Sequence, residues 1–195
     1  MAHYQEPNSN NSAQDVRAYI GLGSNAGDRV AFIQQAMQLL KDVPEITVVE
    51  CSSLYETEPV PNNNNARWFV NAVASIDCTL SPENLLDACK DIEHRLAQLH
   101  CEESGSPELN EDGSKRRIID LDILFYGDTL IKRSNLSIPH PRIHQRAYAL
   151  VPLLEIAPDV MHPGFDKTAM ELHEDLPEPE QVFLYGTRDT DSDFS

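Results

Sequence analysis

The chain has no Gly-x-x-x-x-Gly-Lys-Ser/Thr phosphate loop, no Cys-x-x-Cys pair, and no apolar run near the ~20 residues a membrane helix needs. Each absence closes a class. Any nucleotide site here is built without a P-loop. Cys51, Cys78, Cys89 and Cys101 lack metal or redox spacing, so they are expected as free thiols, two or three of them buried, as in a reducing compartment. The N-terminus has no apolar signal region, and the expected location is the cytoplasm, away from any membrane.

Positive charge is scarce. Fifteen Lys and Arg face 32 Asp and Glu, giving a net charge of −17 and a pI of about 4.6. Such a surface repels nucleic acid and anionic lipid, so neither is an expected partner. Much of the acid sits in 101–112 and after Met170, both read as solvated segments. A 41% hydrophobic share in 195 residues supports one compact domain with extensions and leaves no room for a second catalytic domain. The expected layout is a disordered tail over 1–16, a domain over 17–169 and an acidic disordered tail over 170–195, in a monomer.

The run Arg17-Ala18-Tyr19-Ile20-Gly21-Leu22-Gly23 reads as a first strand, with its glycines permitting a tight exit turn. Asp28 is a candidate N-cap, followed by Val30, Ile33, Ala36, Met37 and Leu40 at helical spacing. Residues 46–57 are rich in β-formers and read as a long second strand. A loop with two prolines and four consecutive asparagines separates it from a third strand over 68–80, expected to pair with the second. Ser81-Pro82-Glu83 supplies a hydroxyl cap, Pro at the first helical position and an acid at the positive helix end. Leu85, Leu86, Cys89, Ile92, Leu96 and Leu99 carry that helix's apolar stripe.

After an acidic loop over 102–114 comes Arg-Arg-Ile-Ile-Asp-Leu-Asp-Ile-Leu-Phe, residues 116–125. Read as a strand, it puts Ile118, Asp120, Asp122 and Leu124 on one face and Ile119, Leu121, Ile123 and Phe125 on the core face. Carboxylates two residues apart then stand roughly 6–7 Å apart at the backbone. Two like charges on a half-buried face ask for a cation, and the spacing suits one or two Mg²⁺ ions of phosphoryl-transfer chemistry. The donors His140, Arg142, His144, Gln145 and Arg146 follow on a connection and a short helix over 144–155. The element order is β-α-β-β-α-β. This is an α+β, ferredoxin-like plan: an antiparallel sheet with helices on one face and extra C-terminal elements.

Several segments, in order, carry a family resemblance: Tyr19-Ile20-Gly21-Leu22-Gly23-Ser24-Asn25, Ser53-Leu54-Tyr55-Glu56-Thr57-Glu58-Pro59-Val60, Phe69-Val70-Asn71-Ala72, Ile118-Ile119-Asp120-Leu121-Asp122-Ile123-Leu124, and Ile138-Pro139-His140-Pro141-Arg142 through Arg146-Ala147-Tyr148-Ala149-Leu150. Together they resemble the successive motifs of 6-hydroxymethyl-7,8-dihydropterin pyrophosphokinase of folate biosynthesis, over about 17–159. The resemblance implies an Mg²⁺-dependent enzyme that moves diphosphate from ATP to the hydroxymethyl-pterin and releases AMP, with ATP and the pterin as its partners. Asp120 and Asp122 then match the ligands of two Mg²⁺ ions and, with Arg117, the catalytic set. Glu93, Arg117, His140 and Arg146 match nucleotide-side positions. Thr57, Phe69, Asn71 and Tyr148 match the pterin side, where flat aromatics stack on the heterocycle and Asn offers a donor and an acceptor to its amide edge.

Two stretches depart from the family pattern. Ala97-Gln98-Leu99-His100 stands where the family has Gly-Arg-x-Arg, and Ser114-Lys115-Arg116-Arg117 where it has Trp-Gly-Pro-Arg. A non-catalytic pterin- or nucleotide-binding module on the same scaffold is therefore the second reading. A metal-dependent nuclease is disfavoured by the net charge.

Overall fold

The computed structural model describes residues 15–59, 67–104 and 118–186, with 101–104 described as backbone only. Of the N-terminal tail expected over 1–16, residues 1–14 lie outside these residues, as do most of the asparagine loop, most of the acidic loop and Arg117, while Val16 already opens the first strand.

The first strand, β1, runs Val16–Ser24 and leads into helix α1, Arg29–Lys41. Asp28 caps that helix by accepting the Ala31 N–H at 3.0 Å, and Ile33, Ala36, Met37 and Leu40 are buried at the predicted spacing, joined by Phe32. The long second strand is two pieces, β2 (Ile46–Cys51) and β3 (Leu54–Thr57), both lying along one edge of β4 (Phe69–Cys78). The interruption is local. The Ser52 N–H still reaches the Val73 carbonyl at 2.8 Å, while the Ser52 hydroxyl accepts the Val73 N–H at 2.9 Å. Helix α2, Pro82–Ser104, starts as expected, with the Ser81 hydroxyl accepting the Asn84 N–H.

Strand β5, Asp120–Tyr126, pairs antiparallel with β1 at the edge of the sheet. A short hairpin, β6 (Ile131–Lys132) with β7 (Ser137–Ile138), leads to a 3₁₀ turn over Ile143–Gln145 and helix α3, Ala147–Ile156. A second hairpin, β8 (Met161–His162) with β9 (Lys167–Thr168), precedes helix α4, Ala169–Glu174, and strand β10, Val182–Gly186. The main sheet runs β10-β3-β4-β1-β5, with β2 also on β4. Its βαββαβ core is the predicted ferredoxin-like plan.

Three expectations need correction. The segment from 170 is not a tail over its first part. Helix α4 carries a full capping box from Thr168 and Glu171, and β10 extends the sheet by pairing with β3; 187–195 lie outside the described residues. Helices also cover both faces of the sheet: α1 and α2 pack on one, α3 and α4 on the other. Finally, Phe125 is not on the α1/α2 face. The β1–β5 register slips between Tyr19 and Ile20, so Leu124 and Phe125 both join the α3 side while Leu121 and Ile123 remain under α2. A bulge adds one residue and reverses the alternation beyond it. Each fully buried Leu or Ile of these two layers contributes roughly 1.5–3 kcal/mol.

Candidate functional site

On the α3 face, the sheet is left uncovered beside β5. Opposite Asp120 and Asp122 on β1 stand Gly23 and Gly21. These glycines lie inside the strand rather than at its exit, which corrects the turn expected of them; the turn glycine is Gly27, with φ of 52°. A Cβ on Gly23 would come within 2.6 Å of Asn71 Oδ1, and one on Gly21 within 3.3 Å of Leu124. Two missing side chains thus open a cleft of about 850 Å³, counting its open mouth.

The cleft brings together Thr57, Phe69, Asn71, Asp120, Asp122, His140, Arg146 and Tyr148 from β3, β4, β5, the turn before α3 and α3 itself. One end is built for a flat polar ring. Phe69 and Tyr148 line it with aromatic rings, and Asn71 is buried in the same lining with its amide fixed, because Nδ2 donates to Thr57 Oγ1 at 2.7 Å. Thr57, itself 1% exposed, thereby orients Asn71. Burial, then Asp122, raises the Tyr148 phenol above its ordinary value, so it stays neutral and offers a donor at physiological pH.

The other end is built for an anion beside the carboxylates. His140 Nδ1 accepts the Arg142 N–H at 3.3 Å, which leaves Nε2 to carry the ring proton. Burial, helped by Arg142, pulls the His140 pKa down to about 4, so the ring is a neutral donor at pH 7. Arg142, which was not among the expected site residues, lines the cleft with Arg146. In the sequence it stands in the His/Arg block and closes the Ile138-Pro139-His140-Pro141-Arg142 motif of the resemblance. Arg146 Nη1 reaches Glu180 Oε1 at 3.2 Å.

Glu93 sits elsewhere. It is absent from the described lining of the cleft and lies against the outer edge of β5, where Oε1 accepts the Leu121 N–H at 2.7 Å and Lys90 Nζ binds both oxygens at 2.7 and 2.9 Å. Burial raises its pKa against the opposing pull of Lys90 and that N–H. Glu93 therefore holds the backbone between the two aspartates. The residues standing where the family pattern has arginines turn away: Gln98 bonds His94 on the same helix, and His100 packs edge-on against Phe32 with ring centres 5.2 Å apart.

Asp120 and Asp122 are the neighbouring carboxylates this cleft offers a metal; Glu58, also in its lining, accepts the Gln181 N–H. Among the described residues no cluster of three or more His, Cys, Asp or Glu could hold a metal alone. That donor set fits Mg²⁺, which takes one or two carboxylates and completes its shell with water and phosphate oxygens. Among the described residues no helix is long and apolar enough to cross a membrane, and the Cys51, Cys78 and Cys89 thiols are buried.

Comparison with known proteins adds an independent line. A family model described as 7,8-dihydro-6-hydroxymethylpterin-pyrophosphokinase matches residues 19–158. A Methylorubrum extorquens protein named 2-amino-4-hydroxy-6-hydroxymethyldihydropteridine pyrophosphokinase is 39% identical over 149 residues, covering 76% of this chain and 87% of its own length. The folic acid synthesis protein fol1 of Schizosaccharomyces pombe is 35% identical over 178 residues, covering 91% of this chain; the chain spans only 23% of that protein. A crystal structure of a Plasmodium falciparum HPPK-DHPS triple mutant superposes with a TM-score of 0.63 at 17% identity, over 83% of this chain and 43% of that one. The last likeness is one of fold.

Proposed function

The chain belongs to the 7,8-dihydro-6-hydroxymethylpterin-pyrophosphokinase family, and from that premise we propose that it transfers diphosphate from ATP to 6-hydroxymethyl-7,8-dihydropterin in folate biosynthesis. The observation that carries the reading is the single cleft in which Asp120 and Asp122 share walls with an aromatic–Asn pocket and with His140 and Arg146.

In the reaction the pterin's hydroxymethyl oxygen forms a bond to the β-phosphorus of ATP. The bond from that phosphorus to the α–β bridging oxygen breaks, AMP departs, and the hydroxyl proton passes to solvent. Two Mg²⁺ ions held by Asp120 and Asp122 would supply charge neutralisation on the phosphates and acidify the attacking hydroxyl. The chain's own groups supply position. Phe69 and Tyr148 hold the pterin plane, and Asn71, oriented by Thr57, reads its amide edge. The neutral His140 donates to phosphate oxygen without bringing a second charge, and Arg146, with Arg142 nearby, meets the charge that builds on the leaving phosphate. Arg117, outside the described residues, belongs on the phosphate side in this reading, and Glu93 acts through the β5 backbone. We place the enzyme in the cytoplasm as a monomer.

Incubation with ATP, Mg²⁺ and the reduced hydroxymethyl-pterin tests the reading. AMP and pterin diphosphate are expected; ADP, or no pterin-dependent turnover, rules the reading out. Asp120→Asn and Asp122→Asn should each lower turnover by about 10²-fold or more, the scale of losing a principal transition-state charge contact. Near wild-type rates in either would remove it from the metal seat.

A further inference from the structure

Arg146 is the N-cap residue of α3, yet its side chain gives that helix no capping hydrogen bond. The first turn of α3 is satisfied from a distance instead. Glu180, on the segment between α4 and β10, places Oε2 2.7 Å from the Ala147 N–H and Oε1 3.2 Å from Arg146 Nη1. Its carboxylate is 9% exposed and Arg146's side chain 19%. One carboxylate therefore ties the cleft arginine to the helix that carries Tyr148.

The segment bearing Glu180 is itself fastened to the cleft's other wall. The Glu58 N–H donates to the Gln181 carbonyl, the Gln181 N–H donates to Glu58 Oε1, and Val182 pairs with Thr57. A carboxylate on a chain anchored this way has little freedom to leave. A guanidinium has five N–H donors, and engaging one of them on a fixed acceptor restricts the fork while leaving others directed at a ligand. Arginine carries much rotamer entropy, so a pre-set fork binds phosphate with less loss.

We propose that Glu180 is a positioning residue for nucleotide binding, acting through Arg146, and that the strap ahead of β10 is part of the active site. The inference rests on the reading that Arg146 meets the nucleotide. It predicts a specific split. Glu180→Gln keeps an amide oxygen for the Ala147 N–H but loses the charge that holds the guanidinium.

The test is a double-mutant cycle of Glu180→Gln and Arg146→Ala, read by AMP release and by calorimetric titration of ATP with Mg²⁺. Glu180→Gln should raise the KM and the dissociation constant for ATP about fivefold, the scale of one lost orienting contact, with the pterin KM unmoved. In the Arg146→Ala background the same change should do nothing further. An unchanged or tighter ATP affinity in Glu180→Gln overturns the proposal, as does an equal effect in both backgrounds, which would mean that Glu180 serves the fold alone. Should Glu180→Gln melt at a much lower temperature, Glu180→Asp provides the second arm, because it keeps the charge and shortens the reach. ATP weakening in that variant, again absent without Arg146, supports the proposal; its persistence without Arg146 overturns it. A wild-type protein that binds ATP but makes no AMP defeats the proposed reaction while the calorimetric cycle still decides Glu180. One that binds no ATP defeats both.

Discussion

Single residues set the cleft's shape by what they leave out. Gly23 has no conformational reason to be glycine, since its turn is made by Gly27; its reason is the 2.6 Å that would separate a Cβ from Asn71 Oδ1. Asn71 cannot swing aside cheaply, because it is buried and its amide is pinned to Thr57. Gly23→Ala should therefore raise the pterin KM by about tenfold or more, from overpacking of roughly 1–3 kcal/mol against the reading amide, while ATP affinity measured alone stays put. An unchanged pterin KM would show that Asn71 does not read the pterin. His140 makes a pH prediction. Its folded pKa is about 4 against 6.5 for a free ring. As pH falls from 6.5 toward 4 the unfolded chain takes the proton first, so the stability this residue contributes is whole above 6.5 and drains away below it. Denaturant unfolding at about pH 7 and about pH 5 should show a smaller acid loss in His140→Gln than in the wild type; an identical loss in both would contradict the buried neutral ring.

Elements depend on groups that close their loose ends. Strand β5 is at the sheet edge among the described residues, where no strand receives the outward N–H between the two aspartates, and Glu93 does so instead. Glu93→Ala leaves that donor unmet at about 1–3 kcal/mol and lets the aspartate-bearing strand loosen. The expected result is a higher Mg²⁺ requirement for turnover, largely restored in Glu93→Gln, whose amide oxygen can accept the N–H. A variant with normal Mg²⁺ dependence would return Glu93 to the bulk surface. The break between β2 and β3 is sealed in a comparable way. Glu155 on α3 accepts the Ser53 N–H and hydroxyl, each at 2.8 Å, and the Tyr55 hydroxyl at 3.1 Å. Burial, reinforced by Glu155, pushes the Tyr55 pKa up to about 12. Glu155→Ala should cost about 2–3 kcal/mol by stranding the Ser53 donors, seen as a lower Tm. Neither device is legible in the sequence, because both join residues far apart in it. The β5 bulge was hidden for another reason: period-two reading assumes an unbroken pleat, and Phe125 changes face where the pleat gains a residue.

At the scale of the molecule, the sequence disclosed what local periodicity encodes. Helices α1 and α2, their caps, the paired strands and the carboxylates of β5 follow from spacing that each segment carries by itself. What stayed hidden was the outer layer, whose reason for folding lies in surfaces made elsewhere. Val182-Phe183-Leu184-Tyr185 is an apolar run, but it sits in an acidic stretch whose average composition reads as a solvated tail. In the structure it pairs with β3, Phe183 stacks on Trp68 at 5.9 Å, and Arg29 lies over the Tyr185 ring at 5.5 Å while bonding Glu56. The run thus closes an edge that β3 would otherwise expose beside the pterin end of the cleft. Removing residues 177–195 should leave Tyr55, Glu56 and Thr57 as an open edge with Trp68 uncovered, a template for pairing between chains. The shortened protein should melt several degrees lower and self-associate with concentration in light scattering, despite its large net negative charge. Its ATP affinity should fall at least as far as in Glu180→Gln, because the same cut takes Glu180 away. A truncated protein with unchanged melting, scattering and ATP affinity would mean that β10 is an ornament on a site complete without it.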